Sequence, residues 1–76
     1  MWVETQDGEL VNVDYVVHIG AKNRNGKYQI YAEFADGGNI EVGEYNSEES
    51  KTVALEEFVQ KIRRTGARIF KFKKEC

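Results

Sequence analysis

The chain has 76 residues, a net charge of −2 and one cysteine, Cys76. This length predicts a single domain over residues 1–76, and a lone cysteine excludes an internal disulfide. Residues 1–7 become polar within four positions, and no apolar run exceeds three residues. We therefore expect neither an export signal nor a membrane span, and a cytoplasmic location.

Acidic and basic residues are unevenly distributed. Residues 1–60 contain twelve Asp or Glu and four Lys or Arg, whereas residues 61–76 contain seven Lys or Arg and one Glu. This division is typical of an acidic body with a basic arm that binds nucleic acid. We favour a C-terminal segment that folds back on the body, because a detached tail would not need Ile69, Phe70 and Phe72.

Short glycine turns predict a series of antiparallel strands. Asp7-Gly8, Asn25-Gly26 and Asp36-Gly37 lie between runs of β-branched and aromatic residues, and such pairs supply the positive φ angles of tight hairpins. We predict strands at 2–5, 9–13, 16–22, 27–35 and 39–45.

Alternation assigns the faces of these strands. Apolar residues at every second position between Tyr28 and Phe34 predict a half-buried strand. In the preceding strand the same rule places Val17, Ile19 and Ala21 inward. Around Gly43-Glu44 the phase breaks, so we expect a bulge there that moves Tyr45 to the outward face.

A helix is predicted at about 48–64. Ser47 is the expected N-cap, and Glu48 and Glu49 suit the first turn. Apolar residues then follow helical spacing at Leu55, Phe58, Val59 and Ile62. Gly66 is the predicted C′ residue, and a final strand is expected within 67–73.

Together these elements predict the fold class. It is α+β, with a single-domain antiparallel β-meander of about five to six strands. One amphipathic helix packs on one sheet face, and a short C-terminal strand follows. Whether that last strand pairs within the sheet or with another chain stays open at this stage.

Residues suited to catalysis or metal binding are scarce. His18 is the one histidine, and Cys76 lacks a neighbouring base in sequence. No spacing matches a zinc site, an EF-hand loop or a phosphate-binding loop. We therefore predict a protein that is not an enzyme and that uses no metal or cofactor.

Four segments of the chain form a familiar pattern: residues 1–13, the strand 28–34, Asp36-Gly37 and the segment 43–49. Together they resemble small uncharacterised proteins of Gram-positive bacteria and their mobile elements, and the resemblance covers about residues 1–62. No activity is attached to that family. For a chain carried by a phage or mobile element, the resemblance implies an adaptor or inhibitor of a host protein.

Protein binding is the function we rank first. A small chain without catalytic residues generally acts through its surface, and Tyr and Trp are frequent at binding hot spots. The predicted outward residues form the candidate surface: Trp2, Val16, His18, Tyr31 and Tyr45. An unpaired sheet edge offers a second surface, for a partner strand or for a homodimer.

Nucleic-acid binding is the alternative. Cations alternate with Phe70 and Phe72, a mixture that contacts phosphates while aromatic rings stack on bases. The candidate contacts are Arg63, Arg64, Arg68, Lys71, Lys73 and Lys74. A third alternative is a small-molecule site where the sheet meets the end of the helix and its arginines.

Overall fold

The computed structural model describes residues 1–64, 66 and 68–74. Predictions that concern Ala67 and Cys76 lie outside the described residues. The elements, in chain order, are β1 (Trp2–Glu4), β2 (Leu10–Asn12), a 3-10 turn (Val13–Tyr15), β3 (Val16–Arg24), β4 (Lys27–Phe34), β5 (Asn39–Tyr45), α1 (Glu48–Ile62) and β6 (Ile69–Lys71). The predicted α+β class is confirmed.

The strands of the described chain form two three-stranded sheets. The meander sheet has the order β3-β4-β5, with every neighbouring pair antiparallel. The N-terminal sheet has the order β2-β1-β6. β1 and β2 form an antiparallel hairpin, whereas β6 runs parallel to β1 and pairs Val3 with Phe70. The C-terminal strand therefore pairs within its own chain, which answers the question that the sequence left open.

The hairpin between β3 and β4 forms as its turn residues dictate. Asn25 and Gly26 connect the paired residues Arg24 and Lys27, and their φ angles are 52° and 79°. A two-residue turn with both φ angles positive matches the twist of antiparallel strands, and glycine adopts such an angle without steric cost. This local signal sets the register of the whole hairpin.

A bulge near the start of β3 reverses the predicted faces of its first residues. Val16 pairs with Phe34 and His18 with Glu33, so Val17 is the extra residue. Val17 is 64% exposed, while Val16 and Ile19 pack against the core. The prediction that Val17 points inward and Val16 outward is wrong, because one inserted residue shifts the alternation.

A second bulge moves Tyr45 into the core. Gly43 pairs with Ile30 and Glu41 pairs with Tyr31, which leaves Val42 between them without a partner on β4. A bulge near Gly43 was predicted, but the expected outward position of Tyr45 is wrong. Because the inserted residue lies before Tyr45, it returns this side chain to the face of Val42, and Tyr45 is 5% exposed.

Helix α1 begins as predicted and ends earlier. The Ser47 hydroxyl accepts a hydrogen bond from the Ser50 amide at 3.1 Å, which satisfies one free N–H of the first turn. The last helical residue is Ile62 and the C-cap is Arg63, so Gly66, at φ 83°, is not the C′ residue. The helix contacts β4 and β5.

Phe58 is the centre of the helix contact with both sheets. Its ring lies 5.4 Å from the Phe70 ring and 5.5 Å from the Phe72 ring, measured between centroids. Phe58 and Phe72 are buried with Val3, Ile30 and other apolar residues in one core. Val59 and Ile62 are exposed, so the inward part of the predicted stripe is narrower than the sequence suggested.

Candidate functional site

His18 and Tyr31 meet on the outward face of the meander sheet. Ile30 and Ala32 are buried beneath β4, so Tyr31 between them points to the other face. The register sets Tyr31 opposite Gly20 and sets His18 opposite Glu33. The His18 and Tyr31 ring centroids lie 5.8 Å apart. These two members of the predicted surface are therefore neighbours.

The absence of a side chain at Gly20 lets Tyr31 lie across β3. A Cβ atom at Gly20 would lie 2.7 Å from the Tyr31 hydroxyl and 2.9 Å from Cε1 of His18. Both distances are shorter than a carbon atom tolerates, so glycine is required for this arrangement. Lys22 completes the group, with its Nζ 5.5 Å from the centroid of the Tyr31 ring. We call His18, Gly20, Lys22 and Tyr31 the Tyr31 cluster.

Acidic residues lie beside the Tyr31 cluster on β4 and β5, away from the outer edge of β3. Glu33 Oε1 is 4.0 Å from His18 Nδ1, and Glu41 on β5 pairs with Tyr31. Burial raises the pKa of Glu41, repulsion by Glu44 and Asp7 adds to the effect, and Lys22 opposes it. Lys22 is thus the cation that partly offsets the negative charge of this face.

The two edges of the meander sheet differ. At β5, the Gln6 amide donates to the Val42 carbonyl at 3.0 Å. The Gln6 side chain accepts from the Glu44 amide at 2.7 Å and donates to the Glu44 carbonyl at 3.2 Å. A further bond, at 3.0 Å, reaches the Lys73 carbonyl. The side chain therefore acts like the peptide group of an added strand.

The outer edge of β3 has no such cover. The strand is nine residues long and pairs with β4 on one side. Beyond Val16, no backbone hydrogen bond joins its outer edge to another residue within the described chain. Most of its residues are exposed. A row of free N–H and C=O groups is a template for strand addition.

The predicted protein-binding surface is only partly assembled. Val16 packs against the core and Tyr45 is buried, because the bulges in β3 and β5 each shift the alternation by one residue. Trp2 is 47% exposed, but it lies on the N-terminal sheet, where it pairs with Ile69. The prediction that Val16 and Tyr45 lie on an outward patch is therefore wrong.

Sequence reasoning missed three residues that define this region. Gly20 lies inside a strand, and an interior glycine often marks a close approach of another group. Lys22 shares the parity of His18, so alternation would have placed it on the same face. The cap formed by Gln6 joins residues that are 38 positions apart, and no local pattern encodes it.

The basic C-terminal segment, residues 61–74, does not present both of its phenylalanines to solvent as the nucleic-acid prediction requires. Phe72 is 1% exposed and cannot stack on a base, whereas Phe70 is half-buried, with its ring centroid 4.9 Å from that of Phe72. Lys71 Nζ lies 2.7 Å from Glu4 Oε2. The remaining predicted cations are exposed: Arg63, Arg64, Arg68, Lys73 and Lys74. The two helix-end arginines line a shallow groove with Ile69 and Phe70.

Across residues 1–64, 66 and 68–74, no three His, Cys, Asp or Glu side chains are arranged to hold a metal ion. Among the same residues, no helix combines the length and the apolar character that crossing a membrane requires. Comparison with family models, curated proteins and solved structures finds no match to this chain.

Proposed function

We propose that this chain is a non-enzymatic protein-interaction module that binds an extended segment of a partner as an additional strand along β3. The observation that carries the proposal is the contrast between the two edges of the meander sheet. Gln6 bonds to the backbone of Val42 and Glu44 at the edge of β5, while within the described chain no backbone hydrogen bond reaches the outer edge of β3 beyond Val16. An adaptor or inhibitor of a host protein would use such an edge.

Strand addition suits the length and exposure of β3. Nine residues in an extended conformation span about 30 Å, long enough for a segment of similar length to pair along the edge. Backbone hydrogen bonds would supply affinity, and alternate side chains would supply selectivity. On the outward face those side chains would meet His18 and Lys22, with Tyr31 behind them.

Self-association through β3 is disfavoured by charge. The strand contains Lys22, Arg24 and His18 and no Asp or Glu. Two copies paired along this edge would bring cations together, and lysine on an edge is a common way in which proteins prevent such pairing. We therefore propose a different protein as the partner, in preference to a homodimer.

A displayed peptide library provides the test. Random peptides of about ten residues, a length that matches β3, are selected against the immobilised full chain. Bound peptides are then mapped by amide hydrogen exchange. The expected result is slower exchange at alternate amides between Val17 and Arg24. Successive N–H groups of a strand point to opposite edges. N-methylation of every second peptide nitrogen should therefore abolish binding when the methylated nitrogens face β3, and should preserve it when they face away.

Two outcomes would reject strand binding. Selection of no peptide is one. The other is selection of peptides that leave the β3 amides unchanged and instead protect the N-terminal sheet around Trp2 and Ile69. The Val53→Ser variant is the control for non-specific adhesion, because Val53 on α1 is an apolar side chain as exposed as Trp2 and Ile69. Peptides that bind along β3 should bind this variant as they bind the wild-type chain.

Nucleic-acid binding by the basic segment is a second candidate. It is supported by the seven Lys or Arg, and no Asp or Glu, between residues 61 and 74. Because Phe72 is buried and Phe70 is half-buried, binding would depend mainly on phosphate contacts and would fall steeply with salt. Fluorescence anisotropy with a single-stranded oligonucleotide, at low and high salt, tests it. An unchanged signal at low salt, or affinity independent of salt, would reject this candidate.

A further inference from the structure

We propose that the partner segment carries an aspartate or glutamate at the position that faces Gly20. This inference rests on the strand-binding function proposed above and specifies the side chain that the Tyr31 cluster accepts.

Gly20 is the position on the outward face of β3 that carries no side chain of its own, and the Tyr31 hydroxyl and the His18 ring lie over it. At His18 and Lys22 the incoming residue meets another side chain directly, because opposite residues have Cβ atoms about 5 Å apart. Gly20 presents no side chain. The Tyr31 hydroxyl lies 2.7 Å from the position that its Cβ would occupy, so it reaches β3 from the neighbouring strand.

The groups around this position are donors. The Tyr31 hydroxyl donates a hydrogen bond, the Lys22 ammonium is a cation with three donors, and the His18 ring presents an N–H. An ionised carboxylate is an acceptor with two oxygens, and hydrogen bonds to an ionised group are shorter and stronger than neutral ones. A carboxylate thus matches the whole set, whereas an incoming Lys or Arg would be repelled by Lys22.

Glu41, the acidic residue that pairs with Tyr31, lies too far from the added strand to reverse this preference. Glu41 is on β5, three strand spacings from the added strand, or about 14 Å at 4.8 Å per strand. That distance exceeds the screening length of about 8 Å at physiological salt. Glu33 is nearer, on β4, and lies beside His18, 4.0 Å from Nδ1. Lys22 and the Tyr31 hydroxyl are therefore the main contacts.

Synthetic peptides selected on β3 test the inference. The expected result is enrichment of Asp or Glu at one position, which cross-strand contacts in NMR place opposite Gly20. Substitution of that acidic residue of the peptide by Gln or Asn should weaken binding to the wild-type chain by about fivefold. This is the size expected for one partly exposed charge-assisted contact.

Variants of the chain locate the contact. In the double variant Lys22→Gln/Tyr31→Phe, the same substitution in the peptide should change affinity by less than about twofold, because both contact groups are gone, and each single variant should reduce the effect. Lys27→Gln, an equal change of charge in the same hairpin, should keep the full effect. Tyr31→Phe removes one oxygen and retains the ring, and thermal melts verify that each variant is folded.

Failure of this inference is separable from failure of the proposed function. Peptides that slow exchange along β3 but carry no acidic residue opposite Gly20 would refute the inference and support strand binding. An effect of the peptide substitution that is undiminished in the double variant Lys22→Gln/Tyr31→Phe would also refute it. If no selected peptide slows exchange along β3, the proposed function itself is rejected.

Discussion

Replacing Phe58 by alanine should remove a large part of the stability of this protein. Phe58 is 4% exposed and packs on Phe70 and Phe72, which belong to the C-terminal segment. Truncation of a buried phenylalanine costs about 3–5 kcal/mol. A chain of 76 residues is expected to have a free energy of unfolding of about 4–11 kcal/mol. The variant should therefore be unfolded or marginally folded at the lower end of this range and strongly destabilised at the upper end.

Urea denaturation followed by circular dichroism measures this effect. With a slope of about 1 kcal/mol per molar urea, the midpoint of Phe58→Ala should fall by about 3 M or more. Val59→Ala is the matched control, because Val59 is adjacent and 41% exposed, and it should change the free energy of unfolding by less than about 1 kcal/mol. Similar midpoints for the two variants would refute our placement of α1.

Two further substitutions examine the edge of β5 and the charge of the outward face. Gln6→Ala removes the side-chain bonds to Glu44 and should cost about 1–2 kcal/mol in urea denaturation, whereas Gln60→Ala on the exposed side of α1 should be nearly neutral. Because the pKa of Glu41 is raised in the folded state, its ionisation costs stability above its ordinary value of 4.5. Glu41→Gln should therefore melt higher than wild type at neutral pH, and this difference should disappear below pH 4.5, where both folded and unfolded chains hold the proton. A difference that is unchanged at low pH, or an equal gain from Glu56→Gln, would contradict that explanation.

The sequence predicts those parts of the fold that short segments encode. The Asn25-Gly26 turn, the alternation along β4 and the Ser47 cap each depend on residues within a few positions of one another, and each forms as predicted. Such signals specify the elements and their order. They do not specify which strands pair when the strands are far apart in the sequence.

The errors arise where long-range packing decides. The bulge at Val17 and the unpaired Val42 each insert one residue, so Val16 and Tyr45 lie in or against the core although simple alternation places them outside. The parallel pairing of β6 with β1 joins the two ends of the chain. Composition favoured a C-terminal segment packed on the body, but it gave no register and no direction.

The candidate site was predicted through two of its residues. Parity placed His18 and Tyr31 on one face, and in the structure their ring centroids lie 5.8 Å apart. The features that shape the candidate site are long-range: the glycine beneath Tyr31, and the contrast between the edge of β5 bonded to Gln6 and the open edge of β3. A mid-strand glycine at position 20 was the one available signal for the first of these features.

Amide hydrogen exchange of the free protein tests the central claim most directly. We expect the Glu44 amide, bonded to Gln6, to exchange at least about tenfold more slowly than the outward amides of β3, because the latter are bonded to water alone. Along β3, between His18 and Arg24, fast and slow amides should alternate. Uniformly slow exchange along β3, equal to that of Glu44, would show that this edge is already covered and would contradict the account.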